Sequence, residues 1–515
     1  MNQGMGWPLA EQRMAEWFDK IIEVLMVVLL TFMPLSFGAV QAWSEEVVIL
    51  AAAGISLIFA LKLVFLRSIS LVWSPAYACV AVFIFVAVLQ LVPLPTPLVG
   101  VVSPHTVALR TDLLNDLPNA QEVLSYMPLS LYPHATCHNL RLVLAVAAVF
   151  VVVANVYRRP EQIKRLLGAI AVIGGGIALL ALAQDIAGNG KIYWCVPTHD
   201  NQAHCGTFIN HSHYGQFMNL SMGAALGLLL VVFREVFAGQ RGVTPKEVVD
   251  YLGSEEAKRA KLLAAMIILG AATVFVSLSR GAMVAMLIAA AFTTAVLGSQ
   301  RSLRGRGWIM VLIALGAFIC VLWIGFDQVY DRLATLRAFQ QAQCGRWQIL
   351  QDIGLAWTKF PVLGVGLGTH EVVYPMFDRS TIAALAMHAE NEYAQAAEET
   401  GSVGLLSLVL FGIAVWGHYA RAIRNDSSSI HFAAYGLGFG LLAILIQSLS
   451  DFGQHLPANA ILSAVCCGLL VTLGRGGHPA PGLRPAEAAA NPRAMRSQAR
   501  GRVSTPILSP CRTAG

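Results

Sequence analysis

The sequence HAENEYAQAAEETGSVG at residues 388–404 marks the point where a long polar segment passes into an apolar one. This polar segment, residues 326–400, lies between apolar runs and also contains GRW at 345–347 and GVGLG at 364–368. Arg, His and Glu collect in it, whereas its flanks carry the apolar residues typical of membrane helices. A large loop on one face of a membrane protein is therefore predicted here, and this loop is where chemistry is expected.

The composition agrees with a membrane protein. Apolar residues make up 56% of the 515 residues and charged residues only 12%, whereas a soluble domain has about 25% charged residues. Lys and Arg are scattered through short connections and a tail, which argues against a nucleic-acid-binding patch. The first apolar run lacks a small-residue cleavage site and is expected to remain as an anchor.

The apolar runs predict an all-α polytopic membrane protein. A helix needs about 20 apolar residues to cross the ~30 Å hydrocarbon core. About twelve runs meet this requirement, at 21–40, 46–66, 76–93, 139–157, 166–187, 214–233, 262–279, 281–298, 308–325, 401–420, 431–450 and 459–474.

The distribution of Lys and Arg predicts the topology, because cytoplasmic connections are enriched in positive charge. The basic residues concentrate in the connections 67–75, 158–165, 234–261, 299–307 and 421–430. The connections 41–45 and 451–458, on the other side, contain no Lys or Arg. Both chain ends, residues 1–20 and the Arg-, Pro- and Ala-rich tail 475–515, are therefore placed in the cytoplasm, and the tail is predicted to be disordered.

This topology divides the chain into blocks. Residues 21–325 hold the first nine spans, 326–400 form the large periplasmic loop with short helices, and 401–474 hold the last three spans. Two other segments, 94–138 and 188–213, fall on the same outer side. The density of proline in 94–138 predicts extended or partly inserted structure there rather than helix.

Arg280 is the sharpest single signal. The apolar run 262–298 is too long for one span at ~1.5 Å per residue, and Arg280 is its only charged residue. A break beside Ser279 and Gly281 is predicted, giving two spans that meet at the outer face. An arginine costs at least ~3 kcal/mol at mid-membrane, so Arg280 either reaches lipid phosphate or is held for a phosphate or diphosphate ligand.

The polar segment contains three further candidates. Arg346 begins a helical pattern and either anchors the helix at the membrane interface or binds an anion. His388 and Glu390 are alternative general bases, since histidine has a suitable pKa near 6.5 and a glutamate reaches one when buried. Helical spacing places His388 and Glu390 on different sides, so both reach one point only if the helix starts after His388.

Other features favour structural roles or remain open. Glycines 364, 366 and 368 lack the strand and helix of a phosphate loop and predict a tight turn. Asp451 and His455 are expected to form a solvated pair at a helix end. Cys195 and Cys205 either form a disulfide or remain thiols, and no metal site is predicted because metal-type spacing is missing.

At this point the ordered motifs resemble the O-antigen ligase and O-antigen polymerase superfamily of bacterial polytopic membrane glycosyltransferases. The resemblance covers about 200–475 and rests on Gly206-Thr207-Phe208-x-Asn210-x-x-His213, Ser277-Leu278-Ser279-Arg280-Gly281, Arg346-Trp347, Pro361-x-Leu363-Gly364-x-Gly366-x-Gly368 and Asn391-Glu392-Tyr393-x-Gln395-x-x-x-Glu399-Thr400-Gly401.

The resemblance implies a GT-C-like enzyme of the bacterial inner membrane that works without cofactor, metal or nucleotide sugar. It would take a glycan from an undecaprenyl-diphosphate carrier on the periplasmic face and pass it to lipid A-core or a growing polysaccharide. Arg280 and Arg346 would bind the diphosphate, and His388 or Glu390 would act as the base. The other motif residues would contact substrate, namely Asn210, His213, Asn391 and Tyr393.

One departure from the family pattern leaves the base open. Members of the family usually have a histidine directly before the Asn-acidic-aromatic triplet, whereas this chain has Glu390 there and His388 two residues earlier. The sequence does not separate ligase from polymerase. A flippase or transporter of the same lipid-linked glycan is the alternative function, although it would carry polar groups near the middle of several spans. A non-enzymatic assembly factor would leave both arginines unexplained.

Overall fold

The computed structural model describes residues 9–66, 71–188, 190–197, 206–238, 245–299, 339–380, 386–425 and 427–475. Its contacts divide the chain into one unit of residues 13–476 and a second of 1–12 with 477–515. Of the second unit, only residues 9–12 are described, and they form the start of the first helix. Apart from residues 9–12, all of the architecture reported below belongs to the first unit.

The described chain is almost entirely helical, as predicted. Its α-helices are α1 (Leu9–Leu35), α2 (Ala42–Phe65), α3 (Pro75–Leu91), α4 (Thr96–Val102), α5 (Pro104–Leu114), α6 (Ala120–Val123), α7 (Pro133–Val156), α8 (Pro160–Ile186), α9 (His211–Val236), α10 (Pro245–Gly253), α11 (Lys258–Val276), α12 (Arg280–Ser299), α13 (Phe339–Lys359), α14 (His370–Val373), α15 (Glu392–Ile423), α16 (Ala433–Gln447) and α17 (Pro457–Leu473). The 3-10 helices are Glu255–Ala257, Tyr374–Met376, Ser429–Phe432 and Gly453–His455.

Two short antiparallel ladders complete the secondary structure. Strand β1 (Leu94–Pro95) pairs with β2 (Tyr126–Met127), and β3 (Lys191–Ile192) pairs with β4 (Val196–Pro197). Each ladder closes a segment between two long helices, so the strands fasten connections and do not build a sheet.

Within the described residues, 8 helices are long and apolar enough to cross a membrane. The helices α3 and α17 are apolar but shorter, with 17 residues each. They correspond to the predicted spans at 76–93 and 459–474. The first predicted span, 21–40, falls mostly within α1, and the ninth, 308–325, lies outside the described residues. The chain is thus a multi-pass membrane protein by the number and composition of its helices.

The prediction for residues 94–138 was wrong in its main point, because this segment contains the helices α4, α5 and α6. Three of its prolines lie in the first turn of a helix, namely Pro97 in α4, Pro104 in α5 and Pro133 in α7. Proline in the first turn loses no hydrogen bond, and its fixed φ already suits a helix. These three prolines therefore mark helix starts.

Helix α9 is the centre of the bundle. Its membrane-crossing window is 100% buried, and it packs against α8, α11 and α16. The contact between α9 and α16 is unusually close because glycines face each other across it. A Cβ atom added at Gly436 would lie 2.1 Å from the backbone nitrogen of Gly227 and 2.2 Å from the carbonyl oxygen of Gly223. Small residues at this spacing let membrane helices approach backbone to backbone.

We expect Gly436→Ala to destabilise the protein, because its methyl group would meet backbone atoms that cannot rotate away. Overpacking of this kind costs roughly 1–3 kcal/mol. The temperature of unfolding in detergent should fall for this variant. The matched control is Gly412→Ala in α15, where an added Cβ has nothing within 4 Å. Equal unfolding temperatures for the two variants would contradict the close packing of α9 and α16.

Candidate functional site

The site is organised by a break in helix α15. Gly401 interrupts this helix with φ 65° and ψ −169°, which separates a short segment, residues 392–400, from the span that follows. A Cβ atom at Gly401 would lie 2.3 Å from the carbonyl oxygen of Val362. Only glycine fits this position, because the positive φ and the close backbone both exclude a side chain. A short helix leading into a span at 401 was predicted, and the structure confirms it.

The break leaves backbone carbonyls at the end of the short segment without helical partners, and the glycine-rich turn 364–368 supplies the missing donors. The N–H of Val365 donates to the carbonyl of Glu398 at 3.0 Å, and that of Gly366 donates to the carbonyl of Glu399 at 3.0 Å. The N–H of Gly368 donates to the Glu399 side chain at 2.8 Å. The prediction of a tight turn with close backbone packing is confirmed, with φ 72° at Gly364.

The other end of the segment is fastened to α16. Asn391 caps the helix by accepting a hydrogen bond from the N–H of Ala394 at 2.9 Å, and its Nδ2 donates to the carbonyl of Leu449 at 2.9 Å. The hydroxyl of Tyr393 donates to the carbonyl of Leu445 at 2.8 Å. Asn391 and Tyr393 therefore hold the start of the short segment in place. Their predicted contact with substrate stays a prediction.

Glu390 faces Arg346. The guanidinium Nη2 of Arg346, from α13, lies 2.8 Å from Oε2 of Glu390, and the two side chains are 54% and 30% exposed. Glu390 has φ 53°, a left-handed conformation that is uncommon for glutamate. Burial raises the pKa of Glu390 above its ordinary value, while the charge of Arg346 works in the opposite direction. Two residues predicted from separate motifs are therefore direct partners.

His388 occupies a different environment two residues earlier. Its ring stacks on Phe452 with centroids 4.0 Å apart and lies 5.3 Å from the ring of His455. Burial, together with the neighbouring histidines, lowers the pKa of His388 to about 3. The side chain is neutral at neutral pH. The helix starts at Glu392, after His388, which is the condition under which His388 and Glu390 can both border one region.

Behind these residues lies a buried polar network that the sequence did not reveal. Asp451 is only 2% exposed, and its Oδ2 accepts hydrogen bonds from Nε2 of Gln216 at 3.2 Å and Nε2 of Gln447 at 3.1 Å. Its Oδ1 lies 3.4 Å from Nε2 of His213. Burial favours the neutral acid, but His213 and the N–H of Phe452 outweigh it and hold the pKa of Asp451 below its ordinary value. A charged carboxylate is thus kept in the protein interior.

The expectation of a solvated Asp451–His455 pair was wrong. Asp451 is buried with His213, and His455 instead pairs with Glu392, with 3.0 Å between Nδ1 and Oε2. Burial lowers the pKa of His455, but the nearby charge of Glu392 and the hydrogen bonding outweigh it and raise the pKa to about 9. Both residues lie in one short connection of the sequence. The packing of that connection gives Asp451 a partner on α9 and His455 a partner on α15.

Arg280 is the first residue of α12, where the predicted break occurs. Helix α11 ends at Val276, and Leu278 has φ 58° in the short link that follows. The hydroxyl of Ser279 lies 3.0 Å from that of Ser212 at the start of α9. The half-buried Arg280 therefore sits at the end of the bundle that carries His213.

Asn210 caps α9, its Oδ1 accepting a hydrogen bond from the N–H of Ser212 at 2.8 Å. The structure thus places Asn210, His213 and Arg280 at adjoining helix starts, and Glu390, His388 and Arg346 around the segment that precedes α15. Electrostatic coupling of Glu390 to both His213 and Asp451 links the two groups. Sequence reasoning assigned no role at the site to Asp451, His455, Glu392 or Phe452, because their contacts come from packing between distant elements.

Two further points concern the cysteines and metal ions. Cys205 lies outside the described residues, so the alternative of a Cys195–Cys205 disulfide stays open. Among the residues that the structure describes, no group of three or more His, Cys, Asp and Glu side chains is placed to hold a metal ion.

The Glu392–His455 pair predicts a dependence of stability on pH. Histidine titrates near pH 6.5 in an unfolded chain, whereas His455 has a pKa of about 9 in the fold. The stabilisation is therefore fully present below pH ~6.5 and is lost as the pH rises through about 9. We expect Glu392→Gln to unfold at a lower temperature than the original protein at pH 6, with the difference shrinking toward pH 10.

Unfolding temperatures measured in detergent across this pH range provide the test. Glu371→Gln, at an exposed position of α14, controls for the loss of a carboxylate. A difference that stays constant with pH would assign the effect to the hydrogen bond from the N–H of Gln454 to Glu392 instead.

Comparison with known families agrees with this picture. Residues 265–409 match a family model described as O-antigen ligase, and this segment contains Arg280, Arg346 and Glu390. His213 and Asp451 lie outside it. No curated protein matches the chain. The match confirms the resemblance to the O-antigen ligase superfamily and supports a membrane enzyme of the O-antigen ligase or polymerase type.

Proposed function

We propose that this chain, whose residues 265–409 carry the match to the O-antigen ligase family, is a membrane glycosyltransferase that moves a glycan from undecaprenyl diphosphate to an acceptor hydroxyl. The observation that carries the proposal is the 2.8 Å contact between Arg346 and Glu390. It puts a cation suited to a diphosphate directly beside a carboxylate suited to act as a base. Lipid A-core and a growing polysaccharide are the two acceptor classes of this family type.

Arg346 and Arg280 have the chemistry to bind the diphosphate. A guanidinium group offers a planar pair of N–H donors that matches two phosphate oxygens. Arg346 is 54% exposed and so is open to a ligand, and Arg280 is half-buried at the start of α12. A long lipid carrier would lie along the helices while its headgroup meets these side chains.

Glu390 is better suited than His388 to remove the proton. A general base is most effective when its pKa is near the working pH. Burial raises the pKa of Glu390, which brings it closer to neutral pH, whereas burial lowers the pKa of His388 to about 3. His388 is therefore a weak base, and its stacking on Phe452 fits a positioning role for this ring.

The proposed reaction is a direct displacement. Glu390 takes the proton of the acceptor hydroxyl while that oxygen forms a bond to the anomeric carbon of the donor glycan. The bond from the anomeric carbon to the diphosphate oxygen breaks, and the diphosphate leaves with the electron pair. Arg346 and Arg280 stabilise the charge that develops on the leaving group, the kind of interaction that contributes several kcal/mol in enzymes.

The ends of α9 support placing this reaction on the periplasmic face of the inner membrane. The cluster lies at the start of α9, whereas Lys164 pairs with Glu235 near the end of α9, at 2.6 Å. Lys164 belongs to the connection 158–165, one of the basic connections that are typical of the cytoplasmic side. The proposed topology therefore has both termini in the cytoplasm and the site opposite them.

The helices beside the cluster favour surface chemistry over transport. Helix α16 has no charged residue, α12 has only Arg280 at its first position, and α9 has charges only at its last turn. A transporter of a charged substrate would be expected to carry charged groups near the midplane of such helices.

We expect Glu390→Gln to reduce glycan transfer by roughly 100-fold or more, since a general base contributes about 10²- to 10⁴-fold. His388→Ala should have a smaller effect, and Glu371→Gln, an exposed carboxylate in the same polar segment, should have none. The measurement is transfer of labelled glycan from undecaprenyl diphosphate by a deletion strain that carries each variant. Full transfer by the Glu390→Gln, His388→Ala double variant would refute the proposed base.

The same deletion strain separates the two enzyme types. Single repeat units that accumulate without the protein would identify a polymerase. Full-length chains that remain on the lipid carrier would identify a ligase.

A further inference from the structure

We propose that the Arg346–Glu390 ion pair is a latch that the donor diphosphate opens. The diphosphate takes the guanidinium of Arg346, and this exchange releases the Glu390 carboxylate for the acceptor. The inference rests on the proposed function, since it takes Arg346 as a diphosphate-binding residue. Glu390, the proposed base, is thus held by Arg346, the side chain that the donor diphosphate needs.

The pair joins two separate elements. Arg346 lies on α13, and Glu390 lies in the loop before α15. The two side chains therefore meet although the residues are 44 positions apart in the sequence. The guanidinium is 54% exposed while the carboxylate is 30% exposed. The more accessible half of the pair is therefore the half that an anion would bind.

The backbone on both sides of Glu390 is fixed. The N–H of Ala389 donates to Oε1 of Gln395 at 3.1 Å, and Ala389 is 1% exposed. On the other side, Asn391 is held as the cap of α15. With φ 53°, Glu390 itself has a conformation that neighbouring contacts must maintain. The carboxylate would therefore remain at the site after Arg346 turns away.

The exchange is favourable because an exposed ion pair is weak. Such pairs are screened by water and contribute little, whereas a diphosphate presents several oxygens to the same planar fork. Once Arg346 is engaged, the charges that still act on Glu390 are those of Asp451 and His213. The charge of Asp451 disfavours the ionised form of Glu390, and the charge of His213 favours it. Burial also disfavours the ionised form, so the released Glu390 carboxylate binds a proton readily.

The latch imposes an order on the reaction. Glu390 is occupied until the donor arrives, so neither water nor acceptor is activated in the empty enzyme. When the diphosphate product leaves, Glu390 returns its proton to solvent and pairs again with Arg346. The donor would thus bind before the acceptor becomes reactive.

Binding to the full-length protein in lipid nanodiscs tests the latch without relying on activity. The probes are undecaprenyl diphosphate and inorganic pyrophosphate, measured with the original protein, Glu390→Gln, Arg346→Ala and the double variant. We expect Glu390→Gln to bind undecaprenyl diphosphate about 2- to 5-fold more tightly, the range that an exposed ion pair allows. In the Arg346→Ala background the same substitution should give no gain.

Glu371→Gln is the matched control for removing an exposed carboxylate. Unchanged or weaker binding by Glu390→Gln would overturn the latch. An equal gain in the Arg346→Ala background would also overturn it, because the effect would then be long-range charge alone. A gain with inorganic pyrophosphate but not with undecaprenyl diphosphate would overturn a lipid-linked ligand for this site.

The same variants separate this inference from the proposed function. Tighter binding by Glu390→Gln with normal glycan transfer would support the latch and remove Glu390 as the base. Lost transfer with unchanged binding would support the base and remove the latch.

Discussion

The hydrogen bonds across the break at Gly401 are the interaction on which the rest of the site depends. Because α15 stops being helical there, carbonyls at the end of residues 392–400 need donors from elsewhere. The turn 364–368 provides these donors and is thereby fixed against the segment. Glu390 and His388 directly precede this segment in the chain. A single backbone irregularity thus connects the glycine-rich turn, both candidate bases and the membrane span.

Much of the fold could be predicted from the sequence, because apolar length and glycine chemistry act locally. The break before Arg280 followed from a run too long for one span, and Leu278 shows it with φ 58°. The helices of 94–138 could not be predicted, since proline disfavours a helix interior and favours a helix start, and composition alone does not say which applies. The position of each proline relative to the start of a helix decides which effect applies.

Individual residues of the site could be predicted from the sequence, but the contacts between them could not. Arg346 and Glu390 were identified separately, yet nothing in their spacing indicated a direct contact, because that contact joins two elements across the polar segment. Asp451 was expected to be solvated because it follows a helix end. Its burial comes from Gln216 and Gln447 on two different helices, and no local pattern in the sequence encodes such a meeting.

The glycine contact between α9 and α16 bears on how such enzymes could be recombined. Gly227 and Gly436 bring two backbones so close that neither helix can accept a larger residue on its own. His213 lies in the first turn of one of these helices, and Asp451 follows the other. A chimera that exchanged only one helix with a relative would therefore lose both the fit of the backbones and the alignment of this buried pair. The two helices form one structural unit, although 209 residues separate Gly227 from Gly436 in the sequence.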